Sequence, residues 1–216
     1  MTPPNFKQES KLWQTYNLPI IALDEAGRGS LAGPVTVAAL MIKKPFETAL
    51  SGLKKLGRLS DSKHLSPRQR EKIYAWLKNN PQFAFASSSS SAKTIDKVNI
   101  RQANFRAMRQ AITKLAKKSG LKKFVVLVDG KEQIPGLAAK QFSIIKGDER
   151  VFSLALASII AKVRRDRLLC CLARRYPRYN FEIHKGYGTS LHFRRLKKYG
   201  QSKVHRKTFL KKLPKG

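Results

Sequence analysis

Three short apolar runs in this chain of 216 residues each lead into an acid. Leu18 to Leu23 (LPIIAL) ends in Asp24, and Phe124 to Val128 (FVVLV) ends in Asp129. Phe142 to Ile145 passes through Lys146 and Gly147 to Asp148, and Glu25 sets a fourth acid beside the first. The first run reads as a buried strand, the second as the strongest strand in the chain and the third as another short strand. Buried strands interleaved with helices build an α/β domain with a mixed sheet. Ligand sites in such sheets gather at the carboxyl ends of the strands. One end of the expected sheet therefore has to accommodate several carboxylates.

The remaining elements fill in around these runs. Pro34 to Ile42 (PVTVAALMI) reads as a second strand, close enough to the first to form a hairpin. Ser66-Pro67 reads as an N-cap followed by proline at the first helical position, opening a helix to about Asn79. Gln82 to Ala86 reads as a third strand, and the serine run Ser87 to Ser91 as a loop. From Asn99, apolar residues at Ile100, Ala103, Ala107, Met108, Ala111, Ile112 and Leu115 mark one face of a helix. A long helix is expected from about Asp148 to Tyr176, with Leu154, Ala155, Ser158, Ile159 and Val163 facing inward. Residues 1–17 read as a polar, loose lead-in, residues 18–176 as the α/β domain, and residues 177–216 as a basic helical extension packed on it. The last 34 residues carry 11 Lys and Arg and no acid.

Charge bears on the partner. With a net charge of +32 and only 13 acids, the surface attracts polyanions, nucleic acid first and an anionic membrane surface second. No run approaches the ~18 apolar residues of a membrane span, so none is expected. The opening MTPPNFKQESK has no apolar signal core, so secretion is not expected either. Cys170 and Cys171 are neighbours, which rarely bridge, and fit a reduced, cytoplasmic compartment. A non-catalytic basic protein that binds nucleic acid or the ribosome would account for the charge equally well. It would not account for acids at strand ends in an acid-poor chain.

A lone acid after a strand is commonly a turn former or helix cap. Several converging carboxylates repel and lose solvation, and need a counter-charge. For oxygen ligands that counter-charge is a hard divalent cation, Mg²⁺ or Mn²⁺. Two such ions suit phosphodiester hydrolysis. Neighbouring strand residues point to opposite faces, so Asp24 and Glu25 share one site only if the strand ends or bulges there. The glycines of Gly27-Arg28-Gly29 let backbone amides approach a phosphate or sugar closely. A second glycine-flanked cluster, His184 to Thr189 (HKGYGT), offers Tyr187 for stacking. Lys63, Arg165 and Lys185 are candidate phosphate contacts.

The residues resemble the type-2 ribonucleases H, specifically the bacterial ribonuclease HII family. The resemblance rests on Asp24–Val35 (DEAGRGSLAGPV), Asp61–Ser66 (DSKHLS), Ile95–Ala103 (IDKVNIRQA), Val128–Gly130 (VDG), Lys146–Asp148 (KGD), Ala157–Asp166 (ASIIAKVRRD), His184–Thr189 and His205–Phe209 (HRKTF). These segments stand in the family's order over about residues 18 to 210. The resemblance implies a ribonuclease H-like mixed sheet flanked by helices, with a C-terminal helical extension. It implies hydrolysis of the RNA strand of RNA–DNA hybrids and incision at single ribonucleotides in duplex DNA, leaving 3′-hydroxyl and 5′-phosphate ends. By that resemblance Asp24, Glu25, Asp129 and Asp148 are the catalytic acids and hold two ions, Mn²⁺ or Mg²⁺. Gly27, Arg28 and Gly29 form the substrate-reading loop, and Tyr187 senses the RNA–DNA junction. A monomer is expected. The chain departs from the family at Ser30, where proline is usual, and at Glu149-Arg150-Val151-Phe152, where small residues are usual. It departs again at Gly200-Gln201, where Gly-Pro is frequent.

Overall fold

The computed structural model describes residues 4–43 and 65–211. Helix α1 (Lys7–Tyr16) precedes the hairpin of β1 (Ile20–Ala26) and β2 (Val35–Ile42). Helix α2 (Pro67–Asn79), strand β3 (Phe83–Ser90) and helix α3 (Ala92–Ser119) follow. Next come β4 (Val125–Asp129), β5 (Lys140–Ile144), the short α4 (Gly147–Arg150) and the long α5 (Phe152–Arg175). A 3₁₀ turn and three short helices, α6 (Phe181–His184), α7 (Ser190–Tyr199) and α8 (Lys207–Leu210), complete the described chain.

The five strands form one sheet in the order β3-β2-β1-β4-β5. The β1–β2 and β2–β3 pairs are antiparallel, and β1–β4 and β4–β5 are parallel, so the sheet is mixed as expected. Strands β1 and β4 pair in the interior of the sheet, where both of their faces are covered. On one face Phe105, Met108, Ile112 and Leu115 of α3 pack on Ile21, Leu23, Val126 and Val128. On the other, Leu154 of α5 and Leu12 of α1 pack on Ala22 and Leu127. Further along that face, Leu156 and Ile160 of α5 meet Ile73 and Leu77 of α2 over Ala38 and Leu40.

Several boundaries differ from the sequence reading, each for a tertiary reason. Strand β1 does not stop at Leu23; Asp24, Glu25 and Ala26 stay in register with Ala38, Val37 and Thr36. The serine run is strand rather than loop through Ser90. Its backbone pairs with Val35 to Ala38, and its hydroxyls find partners in Gln110, the Ala103 carbonyl and Thr36. Ser91 is the N-cap of α3, accepting from the Thr94 amide. Helix α3 therefore starts before Asn99, which has φ 61° and breaks it. The Asn99 side chain accepts from the Gln102 amide and restarts the helix there. The expected helix from Asp148 is likewise split at the extended Val151.

The N-terminal lead-in is not loose where it is described. Residues 7–16 are helical, with Glu9 and Leu12 buried. The Glu9 carboxylate accepts from the Ser153 amide at 2.8 Å and so caps α5 from outside that helix. That cap serves a helix start, Val151-Phe152, that has no capping side chain of its own.

The C-terminal segment is tied down by three buried histidines. His192 Nδ1 faces the Tyr187 carbonyl at 2.9 Å, so it carries the proton. Its Nε2 then accepts from His205 Nε2 at 3.0 Å, and His205 Nδ1 accepts from the amide and hydroxyl of Ser202. His184 stacks on His192 at 4.1 Å, donates to the Tyr179 carbonyl and accepts from the Gly186 amide. Every ring nitrogen has a role only the neutral forms can fill. Burial, reinforced by the neighbouring rings, pushes His192 and His205 down to about 4. Histidines that resist protonation stabilise the fold fully above their ordinary value near 6.5, and that contribution is lost as pH falls from there towards 4. His205→Gln keeps an N–H for His192 but cannot ionise. The urea midpoint of the wild type should therefore fall relative to that of His205→Gln between pH 7 and pH 4.5, by an amount worth at least ~1 kcal/mol. Parallel curves for the two proteins would show that His205 does not titrate with unfolding.

Candidate active site

The register of the sheet decides which acids meet. Leu23 pairs with Val128 in the parallel β1–β4 ladder, so Asp24 and Asp129 follow on the same face at the same end. Asp129 pairs with Ile144 of β5, after which Lys146, at φ 53°, turns the chain back into α4. That turn carries Asp148 to the other two. Asp24, Asp129 and Asp148 can each offer a carboxylate oxygen within 4.8 Å of the others. Asp24 and Asp148 are only 5% exposed, so water does little to separate their charges.

Local bonds hold this unfavourable arrangement. The Gly147 amide donates to Asp129 Oδ1 at 2.7 Å, and the Glu25 amide to Asp24 Oδ1 at 2.7 Å. A Cβ at Gly147 would lie 2.4 Å from Leu154 Cδ1 and 3.3 Å from the Asp129 oxygen, so a side chain here would displace the buried Leu154. Burial, then the Glu25 and Asp129 charges, hold the Asp24 carboxyl well above its ordinary value, against a hydrogen bond from Ser158 of α5. Three converging carboxylates, one of them holding its proton well above the ordinary range, are a donor set for a hard divalent cation. The residues present fit such an ion.

Glu25 stands apart from this trio. Because β1 continues to Ala26, Glu25 points to the α3 face, where Asn104 hydrogen-bonds its carboxylate and Arg28 approaches to 3.5 Å. Burial raises its pKa, Asn104 and Arg28 lower it, and Asp129 raises it again, so the carboxylate lies within electrostatic reach of the cluster. The four acids thus occupy one strand end from two faces rather than one pocket from one face. Asn104 and Ser158, which orient Glu25 and Asp24, carry no sequence signal beyond a polar residue on an apolar helix face.

The loop after β1 is held from below. Gly27, at φ 88°, turns the chain, and a Cβ on it would overlap the Arg165 side chain. Arg165 corrects an expectation. Rather than facing phosphate, it is 1% exposed and donates to the Pro34 and Ala32 carbonyls and the Ser30 hydroxyl. Ser30 itself donates back to the Gly27 or Ala32 carbonyl, so its hydroxyl braces the loop. Arg28 reaches out instead, between Glu25 and Glu132. Tyr187 is 42% exposed and its ring lies 5.1 Å from the Arg165 guanidinium carbon. The Gly186 carbonyl beside it accepts from the Leu31 and Ala32 amides, which joins the tyrosine turn to the glycine loop. The Lys185 ammonium bonds the Glu182 carbonyl and approaches Cys170 Sγ, so it is engaged within its own turn. Lys63 lies outside the described residues.

Relieving the repulsion should be measurable without any reaction. Asp24→Asn should raise the melting temperature in EDTA by roughly 2–4 °C, as for about 1 kcal/mol in a domain of this size. It should also abolish the further rise that Mn²⁺ gives the wild type. A variant that melts lower than wild type in EDTA would show that the Asp24 charge is not strained by its surroundings.

Comparison with known proteins agrees with this geometry. The family model for ribonuclease HII matches residues 21–212. The ribonuclease HII of Fusobacterium nucleatum is 46% identical over 195 residues, 90% of this chain and 86% of that protein. In fold, the crystal structure of the ribonuclease H2 from Pyrococcus horikoshii superposes with a TM-score of 0.68 at 24% identity, over 88% of this chain and 93% of that one. Bst-RNase HIII, solved in complex with Mn²⁺, superposes with a TM-score of 0.65 at 16% identity, over 85% of this chain and 63% of that one. The chain belongs to the ribonuclease HII family of metal-dependent nucleases, which hydrolyse RNA in RNA–DNA hybrids.

Proposed function

We propose that this protein is an endonuclease that cuts the RNA strand of RNA–DNA hybrids and also incises at single ribonucleotides embedded in duplex DNA. The products are a 3′-hydroxyl and a 5′-phosphate. The observation that carries the reading is the convergence of Asp24, Asp129 and Asp148 at the end of β1, β4 and the β5–α4 turn, next to the Gly27–Gly29 loop. Asp24, Asp129 and Asp148, with Glu25 from the second face, would hold two Mg²⁺ or Mn²⁺ ions, which supply an acidified water and charge stabilisation for the leaving oxygen. The chain's own contribution is to fix these carboxylates through the Gly147 and Glu25 amides and the Ser158 and Asn104 side chains.

Selectivity for RNA requires reading the 2′-hydroxyl, the group that DNA lacks. The Gly27–Gly29 backbone stands beside the acids, on the loop that leaves β1, and its glycines permit close approach. Tyr187 presents an exposed ring on a turn bonded to that loop, suited to stacking on the sugar after the ribonucleotide. The cations of the C-terminal extension supply affinity that is independent of sequence and weakens with salt. Residues 18–176 form the catalytic unit in this reading, and residues 177–216 an extension packed on it. All four acids come from one chain, which suits a monomer. The free, exposed Cys170 and Cys171 suit a reduced cytoplasm.

The direct test is a DNA duplex with one ribonucleotide, incubated with Mg²⁺ or Mn²⁺ and with EDTA. Cleavage 5′ to the ribonucleotide, lost in EDTA, is expected. Asp129→Asn should reduce it at least ~10²-fold, the scale of losing one preorganised charge. Binding of the same duplex in EDTA should hold or improve. Near-wild-type cleavage by this variant would remove Asp129 from the catalytic set.

Tyr187 separates junction reading from simple packing. Tyr187→Phe loses one hydrogen bond, ~0.5–1.5 kcal/mol, whereas Tyr187→Ala also loses stacking worth ~1–3 kcal/mol. Alanine should therefore cost more than phenylalanine. Its cost should be larger on the single embedded ribonucleotide than on a long hybrid, where many registers can be cut. Equal losses on both substrates, together with a lower melting temperature, would make Tyr187 a packing residue.

A further inference from the structure

The loop and the turn assigned above to substrate reading have a common support that no surface property explains. Arg206, in the basic C-terminal segment, is fully buried. Its guanidinium donates to the Gly27 carbonyl at 2.6 Å, the Arg28 carbonyl at 2.8 Å and the Gly33 carbonyl at 3.1 Å. Arg165 lies in the same interior and binds the next stretch of the loop through Pro34, Ala32 and Ser30. No carboxylate pairs with either guanidinium there among the described residues. The two like charges oppose each other; burial first, then Arg165, pushes Arg206 down to about 9. Two buried cations held by carbonyl dipoles, the Ser30 hydroxyl and aromatic rings, with no carboxylate beside them, are costly. Their effect is directional: they pull the carbonyls of Gly27, Arg28, Ala32, Gly33 and Pro34 inward. The amides of Arg28 and Gly29, meanwhile, donate to no backbone carbonyl among the described residues.

The neighbouring residue serves the other reading element. His205 bridges Ala32 through the backbone, and Arg206 donates its amide to the Leu31 carbonyl. Leu31 and Ala32 donate in turn to Gly186, whose absent Cβ would lie 2.4 Å from the Ala32 oxygen. From the side-chain direction, His205 donates to His192, which donates to the Tyr187 carbonyl.

We propose that Arg206 is a positioning residue for ribose recognition, and that Arg206 and His205 form one brace that sets the Gly27–Gly29 loop and the Tyr187 turn relative to each other. This rests on the reading of those two elements as the parts that recognise substrate. Lysine keeps the charge but cannot present a planar fork to three carbonyls at once. Arg206→Lys thus separates geometry from electrostatics.

Arg206→Lys should lower kcat on the single-ribonucleotide duplex by at least ~10-fold, with a smaller loss on a long RNA–DNA hybrid. KM and the salt dependence of duplex binding should stay at wild-type values. Hydrogen exchange gives a readout that needs no activity. The Leu31 and Ala32 amides should exchange at least ~10-fold faster in Arg206→Lys, while those of Val126 and Leu127 in β4 stay protected. Unchanged exchange at Leu31 and Ala32 overturns the brace, as does an equal loss of kcat on both substrates. His205→Leu, which leaves Arg206 in place but removes the N–H donated to His192, carries the test if Arg206→Lys does not fold. It should show the same selective loss in weaker form, and wild-type selectivity in it overturns the joint brace. A wild-type protein that cuts neither substrate overturns the reading of the activity instead, and the exchange experiment still decides the brace.

Discussion

Three carboxylates gathered at the end of one sheet repel one another, and most of the described architecture serves to keep them together. The parallel β1–β4 pairing puts Asp24 and Asp129 on one face at one level. Lys146 in a left-handed conformation and the short α4 return Asp148 to them. Helix α5, from which Ser158 reaches Asp24, starts with a cap lent by Glu9 of α1. None of these bonds removes the repulsion. Each fixes the geometry in which a divalent cation can remove it, so the site resists collapse before it meets an ion.

Those acids are legible in the sequence because each follows a short apolar run that pairs into the sheet, β1 and β4 in its interior and the half-buried β5 at its edge. The conflict at Asp24-Glu25 was legible too. Period two puts neighbours on opposite faces, and the structure keeps that rule rather than breaking it with a bulge. Glu25 accordingly meets Asn104 on α3 while Asp24 meets Ser158 on α5. The ordered motifs carried the family, and the family carried the fold.

What stayed hidden depends on contacts between distant residues. Ser87 to Ser90 have the composition of a loop and become strand only because β2 offers a backbone and α3 offers acceptors. Helix α1 has few apolar residues, and its burial is visible only once Leu12 and Glu9 find the sheet and α5. Arg165 and Arg206 look like any other cations in a chain of net charge +32. Composition counts them with the residues that face a polyanion, whereas the structure buries both beneath a loop.

This division of the cations bears on how a basic extension can contribute to catalysis. Exposed lysines such as Lys197, Lys198 and Lys207 act at long range, and salt screens them. Buried arginines act at hydrogen-bond range, where added salt reaches them little. A guanidinium costs much to bury, but it can turn several carbonyls at once towards itself and so leave the opposite edge of the backbone as donors. Gly27, at φ 88°, lets the loop bend this way, and Arg206 and Arg165 bond the carbonyls on its inner side. On the proposed reading, the segment whose surface would raise affinity for any duplex also holds, through its interior, the backbone that would distinguish ribose from deoxyribose. Selectivity would then depend less on which side chains touch the substrate than on which way a few peptide groups face.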